Sequence, residues 1–344
     1  MSVLGRGVDV VWAMNHTSRS RAIVAAAVVL VTIAVAGHTI AAQNARYKSG
    51  VELVPLTVTV TDREGRYVPN LTAADFAVFE DGRPQLVSQF AAGHVPLDVG
   101  FLIDTSSSMR DHLPLAQKAA RGLVRQLRDG DRGAVTGIAS TVVLQQPLTP
   151  DLARVDGALG ATHASGNTAL YEALYVALRQ YQQERLDTAE VRRRVIVLLS
   201  DGVDTSSHVA FEDVLDLLRR VDVTIYVVSL ADDPSLLRGA GTERVSFESA
   251  HALSSFAHES GGRLFTPRAA RELPAIYDAI GQELSNQYVL GYVPAGSGGD
   301  GRFRHVWVGV LAPRAAMART RAGYCADRTR AAGSLASSTG WPGR

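Results

Sequence analysis

The stretch FLIDTSSSM, Phe101 to Met109, sets a carboxylate at Asp104 and hydroxyls at Ser106 and Ser108, directly after an apolar run. Two later stretches carry matching chemistry: ASGNTALYEAL presents Thr168 behind Gly166 and Asn167, and VIVLLSDGVDTSS presents Asp201. Together they offer two carboxylates and three hydroxyls, an all-oxygen set of low charge that suits a hard divalent ion. Mg²⁺ is the first expectation, because it accepts few carboxylates and keeps several waters; Mn²⁺ and Ca²⁺ are the alternatives. Zinc would want His or Cys, and these stretches hold neither. Neutral hydroxyls coordinate without cancelling the cation's charge, so a site of this composition still attracts a carboxylate from outside. Taken singly, each piece is ordinary: Asp104, Ser106 or Thr168 as a helix cap, Asp201-Gly202 as a turn.

The elements that must position these residues alternate between strand and helix. VPLDVGFLI is apolar throughout except at Asp98, as a strand covered on both faces would be, and VIVLLS is the clearest buried strand in the chain. Between and after them come amphipathic helices, with Leu115, Ala119, Leu123 and Leu127 on one stripe and Leu170, Leu174, Ala177 and Tyr181 on another. Further helices are expected near Phe211 to Val221, His251 to Ser260 and Ala269 to Ser285, with the strands VTIYVVSL and RLFT among them. This alternation predicts a Rossmann-like, doubly wound, mainly parallel α/β sheet. In such a sheet the loops leaving the strand ends share one edge, so Asp104, Thr168 and Asp201 would meet there.

Asp104-x-Ser106-x-Ser108 with Thr168 and Asp201, in that order, resembles the metal-ion-dependent adhesion site of von Willebrand factor type A domains. GNTALYEAL and LSDG resemble that family's sequence around its threonine and its third-loop aspartate, and the likeness covers about 95–285. The resemblance implies that Ser106, Ser108 and Thr168 touch the metal directly while one or both aspartates act through water. With LTAADFAVFEDG before the domain and YVLGYVPA…DGRFRHVWVGV after it, the whole chain further resembles bacterial exported proteins known only as von Willebrand factor A related.

On either side the pattern is all-β. In VELVPLTVTVTD, Val54, Leu56, Val58 and Val60 share a face; DFAVFEDGRPQLVSQF reads as two strands around Asp81-Gly82. Beyond Asn286, QYVLGYVP and FRHVWVGVL are strands, the second with Val306, Val308 and Val310 on one face, and a short strand runs through Met317 to Thr320. Each flank is too short to bury a core alone. The expected organisation is therefore a β-sandwich of 43–94 plus 286–325 holding an inserted α/β domain of 95–285, with a disordered tail over 326–344. Residues 1–42 read as a secretory leader or an uncleaved N-terminal membrane anchor: Arg19 and Arg21 precede the uncharged AIVAAAVVLVTIAVAG, and Ala41 and Ala42 follow.

That leader predicts an exported protein, periplasmic, secreted or held at the cell envelope. With 35 basic against 34 acidic residues and a net charge of +1, no nucleic-acid partner is expected. The single cysteine, Cys325, allows no internal disulfide and reads as a bystander. The triplet Arg192 to Arg194 reads as a solvated lead into the next strand, Asp204 as a support or a solvated turn acid, His112 as exposed, and Trp307 and Tyr292 as aromatic core. The expected function is non-enzymatic capture of an Asp or Glu side chain of a protein partner through the metal. A structural role in assembling an envelope complex is the alternative. A Mg²⁺-dependent phosphohydrolase is a lesser one, because Ser106 stands where aspartyl-phosphate enzymes place a second acid and no nucleophile elbow, HExxH or phosphate loop is present.

Overall fold

A six-stranded sheet with strand order β10-β9-β8-β5-β6-β7 forms the centre of the computed structural model. The structure describes residues 53–187, 192–200, 204–230, 242–294, 300–312 and 317–326. The leader over 1–42, Asp201, and the tail beyond Ala326 lie outside the described residues. The sheet's strands are β5 (Leu97–Asp104), β6 (Arg132–Ile138), β7 (Val142–Thr149), β8 (Arg193–Ser200), β9 (Thr224–Ser229) and β10 (Arg263–Phe265). All neighbours are parallel except β7, which runs antiparallel to β6.

Every residue of β5, β8 and β9 is buried, because helices cover both faces. On one face α1 (Leu113–Val124), α2 (Leu152–Gly160) and α6 (Leu273–Ser285) pack against Val99, Phe101, Ile103, Val197 and Leu199. On the other, α3 (Leu170–Asp187), α4 (Phe211–Leu218) and α5 (Thr242–Glu259) pack against Leu102, Ile196 and Leu198. The chain passes from β5 to β6 on one side and later places β8 on the other. The boundary between β5 and β8 is thus the point where strand order reverses, and their carboxyl ends open a crevice there.

Strands from before and after the α/β unit interleave in two antiparallel sheets. One has the order β13-β1-β11-β4, from Met317–Arg319, Val54–Thr61, Gln287–Tyr292 and Val87–Ala91. The other has β14-β12-β2-β3, from Gly323–Cys325, Phe303–Val310, Phe76–Glu80 and Arg83–Gln85. Their inner faces meet in one core containing Leu56, Val58, Phe76, Val78, Leu290, Tyr292, Val306 and Val308. A buried cluster ties this sandwich to α6: Glu283 accepts from Tyr226 (2.6 Å) and Thr59 (3.2 Å) and pairs with Arg319. Burial, and after it the Glu283 carboxylate, pushes the Tyr226 phenol well above its ordinary range.

Several expectations need correction. The segment read as two strands around Asp81-Gly82 holds three. β3 pairs with β2 through a turn in which both Asp81 (φ 47°) and Gly82 (φ 76°) are left-handed. Exposed Leu86 then lets the chain switch sheets, so that β4 pairs with β11. The helix α2 was not anticipated; Asp151 caps it, accepting from the N–H groups of Ala153 (3.1 Å) and Arg154 (3.2 Å). Arg192, Arg193 and Arg194 are buried rather than solvated: Asp98 and backbone carbonyls lie within reach of Arg192 and Arg193, whereas Arg194 Nε is buried with no hydrogen-bond partner among the described residues. Burial pulls the Arg193 guanidinium down to about 10. Tyr292 is core, but Trp307 is 61% exposed, since its neighbours Val306 and Val308 take the inward positions; its ring rests on Phe79 at 5.2 Å. Ala326, assigned to a loose tail, is buried, and its N–H donates to Arg302 O (3.2 Å). Cys325 is a free, half-buried thiol.

Candidate metal centre

Asp104 is the last residue of β5 and is fully buried. Its Oδ1 accepts from the Ser106 N–H (2.9 Å), an Asx turn that bends the chain, and its Oδ2 accepts from the Ser200 hydroxyl (2.7 Å) at the end of β8. Thr105 pulls the same turn toward β6, its N–H and hydroxyl both donating to Ile138 O (2.7 and 2.9 Å). The bend brings the Ser106 and Ser108 hydroxyls to 2.9 Å from each other; Ser106 is buried and Ser108 exposed. A carboxylate and two hydroxyls are thereby gathered on one turn at the crevice between β5 and β8.

The loop carrying Thr168 is stitched directly to that turn. Ser165 N–H donates to Thr105 O (2.6 Å) and Ser107 N–H to Gly166 O (3.0 Å). Gly166 is left-handed (φ +71°), and a Cβ there would stand 2.5 Å from Ser140 Oγ, so the approach requires glycine. Asn167 N–H donates to that same Ser140 Oγ (2.8 Å), and Ala169 N–H to Ala139 O (2.9 Å). Thr168 itself is buried.

The third loop closes on the second. Thr168 O accepts from the N–H groups of Thr205 (2.9 Å) and Ser206 (3.0 Å), while Thr168 N–H donates to Thr205 Oγ1 (3.0 Å). Thr168 does not cap α3, as its position suggested. Asp204 does so from the neighbouring loop, accepting from Leu170 N–H (2.7 Å), and Ser207 Oγ accepts from Glu172 N–H (3.0 Å). Asp204 is therefore a helix cap supplied across the fold, and the Ser207 hydroxyl in turn donates to it (2.6 Å). Burial, and then the Asp204 charge, raises the nearby Tyr171 phenol. Of the five residues singled out by sequence, Asp104, Ser106, Ser108 and Thr168 stand in loops bonded to one another. Asp201 lies outside the described residues, between Ser200, bonded to Asp104, and Asp204, which caps α3. His112 is half-buried at the start of α1.

A family model for the von Willebrand factor type A domain matches residues 98–279. The chain belongs to that family. A "UPF0353 protein" of Mycolicibacterium paratuberculosis is 28% identical over 210 residues, covering 57% of this chain and 63% of its own length. The chain thus spans under two thirds of that relative. Among solved structures, a von Willebrand factor type A protein from Catenulispora acidiphila aligns with a TM-score of 0.43 and 16% identity, over 82% of this chain and 76% of that one. Proximal thread matrix protein 1 from the mussel byssus, in a form described as having a zinc-occupied MIDAS motif, aligns with a TM-score of 0.43 and 22% identity, over 60% of this chain and 49% of that one.

In this VWA domain the donors fit a hard cation better than a soft one. Among the described residues no group of three or more His, Cys, Asp or Glu is placed to hold a metal, so no nitrogen or sulfur cage is present there. The crevice instead gathers hydroxyl oxygens around one buried carboxylate, and the third loop holds a shielded Ser206 Oγ that has no hydrogen-bond partner among the described residues. Burying a carboxylate is costly, and a bound cation would offset that cost. Sequence reading missed Ser200, Ser207 and the capping role of Asp204. Their signal, a run of small polar residues after VIVLL, is shared by any turn.

Proposed function

We propose that this VWA protein is an exported, non-enzymatic binding module that captures an acidic side chain of a protein partner through a divalent cation, Mg²⁺ in the first instance. Asp104, Ser106, Ser108, Thr168 and Asp201 would hold the ion. The reading rests on one observation above all: buried Asp104 is bonded to Ser106 and Ser200 while its loop is stitched to that of Thr168. A held cation supplies an electrophilic point for an incoming carboxylate oxygen. The chain's own residues do the rest. The Asx turn and the cross-loop bonds fix the oxygens before a partner arrives, which lowers the ordering cost of binding. Placing recognition on loops carried by a rigid sheet leaves the surrounding residues free to set specificity. The leader pattern supports an envelope location, and its apolar stretch a membrane association.

Crosslinking in the native envelope, with and without EDTA, tests the reading. A partner caught in Mg²⁺ and lost both in EDTA and in the Asp104→Ala variant is the expected result. A partner retained in both conditions sinks metal-mediated capture and leaves the sandwich as the binding surface.

A further inference from the structure

The strand β7 closes the six-stranded sheet on one side and, among the described residues, pairs with β6 alone. Its first half is level with the metal loops. The register runs from Asp104 to Ile138 on β6 and from Ile138 to Val142 on β7. Val142 therefore stands two strand spacings, about 10 Å, from the strand end that carries Asp104. The turn joining β6 to β7 is also the turn that holds the Thr168 loop, through Ser140 Oγ and Ala139 O.

Edge strands are normally blunted by charge, proline or irregular pairing. Here those devices begin after Leu144: a register break that leaves Gln145 bulged between the pairs Thr136–Leu144 and Val135–Gln146, a second break before Thr149, and Pro147. Val142, Val143, Leu144 and Gln145 carry no charge, and the consecutive Val143 and Leu144, which point to opposite faces of the strand, are 46% and 40% exposed. A short, regular, apolar edge is left open beside the one place where the protein is built to receive a carboxylate.

We propose that the partner docks as an extended segment added to the free edge of β7 along Val142 to Leu144, delivering its acidic residue across the β6–β7 turn to the metal. This rests on the capture of a carboxylate proposed above and names the form of the partner: a strand, not a helix or a folded knob. Main-chain hydrogen bonds to β7 supply affinity, and Val143 and Leu144 select apolar or β-branched side chains opposite them. The added strand would lie about 14 Å from Asp104, so the acid is separated from the paired stretch by about four residues at 3.3 Å each. Because β7 starts at the metal edge and runs away from it, a segment whose acid follows its paired stretch runs antiparallel to β7.

The test uses short random peptides displayed on phage, selected on the full chain in Mg²⁺ and eluted with EDTA, followed by hydrogen exchange on the complex. Expected are acid-containing peptides whose binding slows exchange at the amides of 142–144 as well as in the 104–108 loop. In addition, Val143→Lys and Leu144→Lys, both at exposed positions, weaken peptide binding about tenfold or more while Mg²⁺ affinity stays unchanged. Protection confined to the metal loops, with both lysine variants binding normally, overturns strand addition and leaves carboxylate capture standing. A selection that yields no EDTA-eluted acidic peptide removes the capture reading, and strand addition with it.

Discussion

Asp98 and Asp104 sit at opposite ends of the same buried strand, both with no solvent exposure, and are matched in opposite ways. Asp98 is gripped by two guanidinium groups: Arg132 binds it through Nε and Nη2 (both 2.8 Å), and Arg192 Nε reaches it at 2.7 Å. Asp104 is bonded by a backbone N–H and a hydroxyl. The contrast separates structure from function. A carboxylate gripped by two fixed guanidinium groups has its charge used up within the fold, whereas one set among serine hydroxyls at a strand exit is placed where, on the function proposed above, a mobile cation would sit.

That contrast gives four expected outcomes, in falling order of effect. Asp98→Ala leaves two largely buried guanidinium groups without their acid and should cost about 3–5 kcal/mol, equally in Mg²⁺ and in EDTA; an unchanged urea midpoint would refute the structural role. Mg²⁺ at a hundred times its Kd should stabilise the wild-type chain by about 2.7 kcal/mol and the Asp104→Ala chain not at all, as read from Tm with and without EDTA. Asp204→Ala removes a cap that spans two loops and should cost about 2 kcal/mol, and since that loop also grips Thr168, Mg²⁺ affinity should fall with it. Asp151→Ala removes an ordinary cap, costing about 1 kcal/mol, and calorimetry should show an unaltered Mg²⁺ response.

The α/β sheet was legible because its strands are continuous apolar runs and its helices carry apolar stripes. VIVLLS became the fully buried β8, and the stripe through Leu170, Leu174, Ala177 and Tyr181 became the buried face of α3. The candidate oxygen ligands were legible as residue types in a fixed order; Asp104 stands at a strand exit as expected, but Thr168, expected at another, stands in the loop between α2 and α3. Less was visible where a residue's role depends on something distant in sequence. Arg192 looked like a surface charge until Asp98 was placed beside it, and Asp204 read equally as a loop support or a solvated turn acid until the N-terminus of α3 arrived at its Oδ1. Trp307 misled for the reverse reason: β-propensity does not say which face of a strand is covered.

The sequence by itself determined which strands would be buried, which amphipathic stretches would be helical, and that Asp104 with its hydroxyls would stand at a strand end, because those follow from periodicity and local backbone preference; it did not show α2, nor that the helix expected from His251 begins at Thr242. Only the tertiary structure decided which charges cancel, which edge stays open and which loops hold one another in place. Those depend on through-space distances between residues far apart in the chain, to which local pattern is blind.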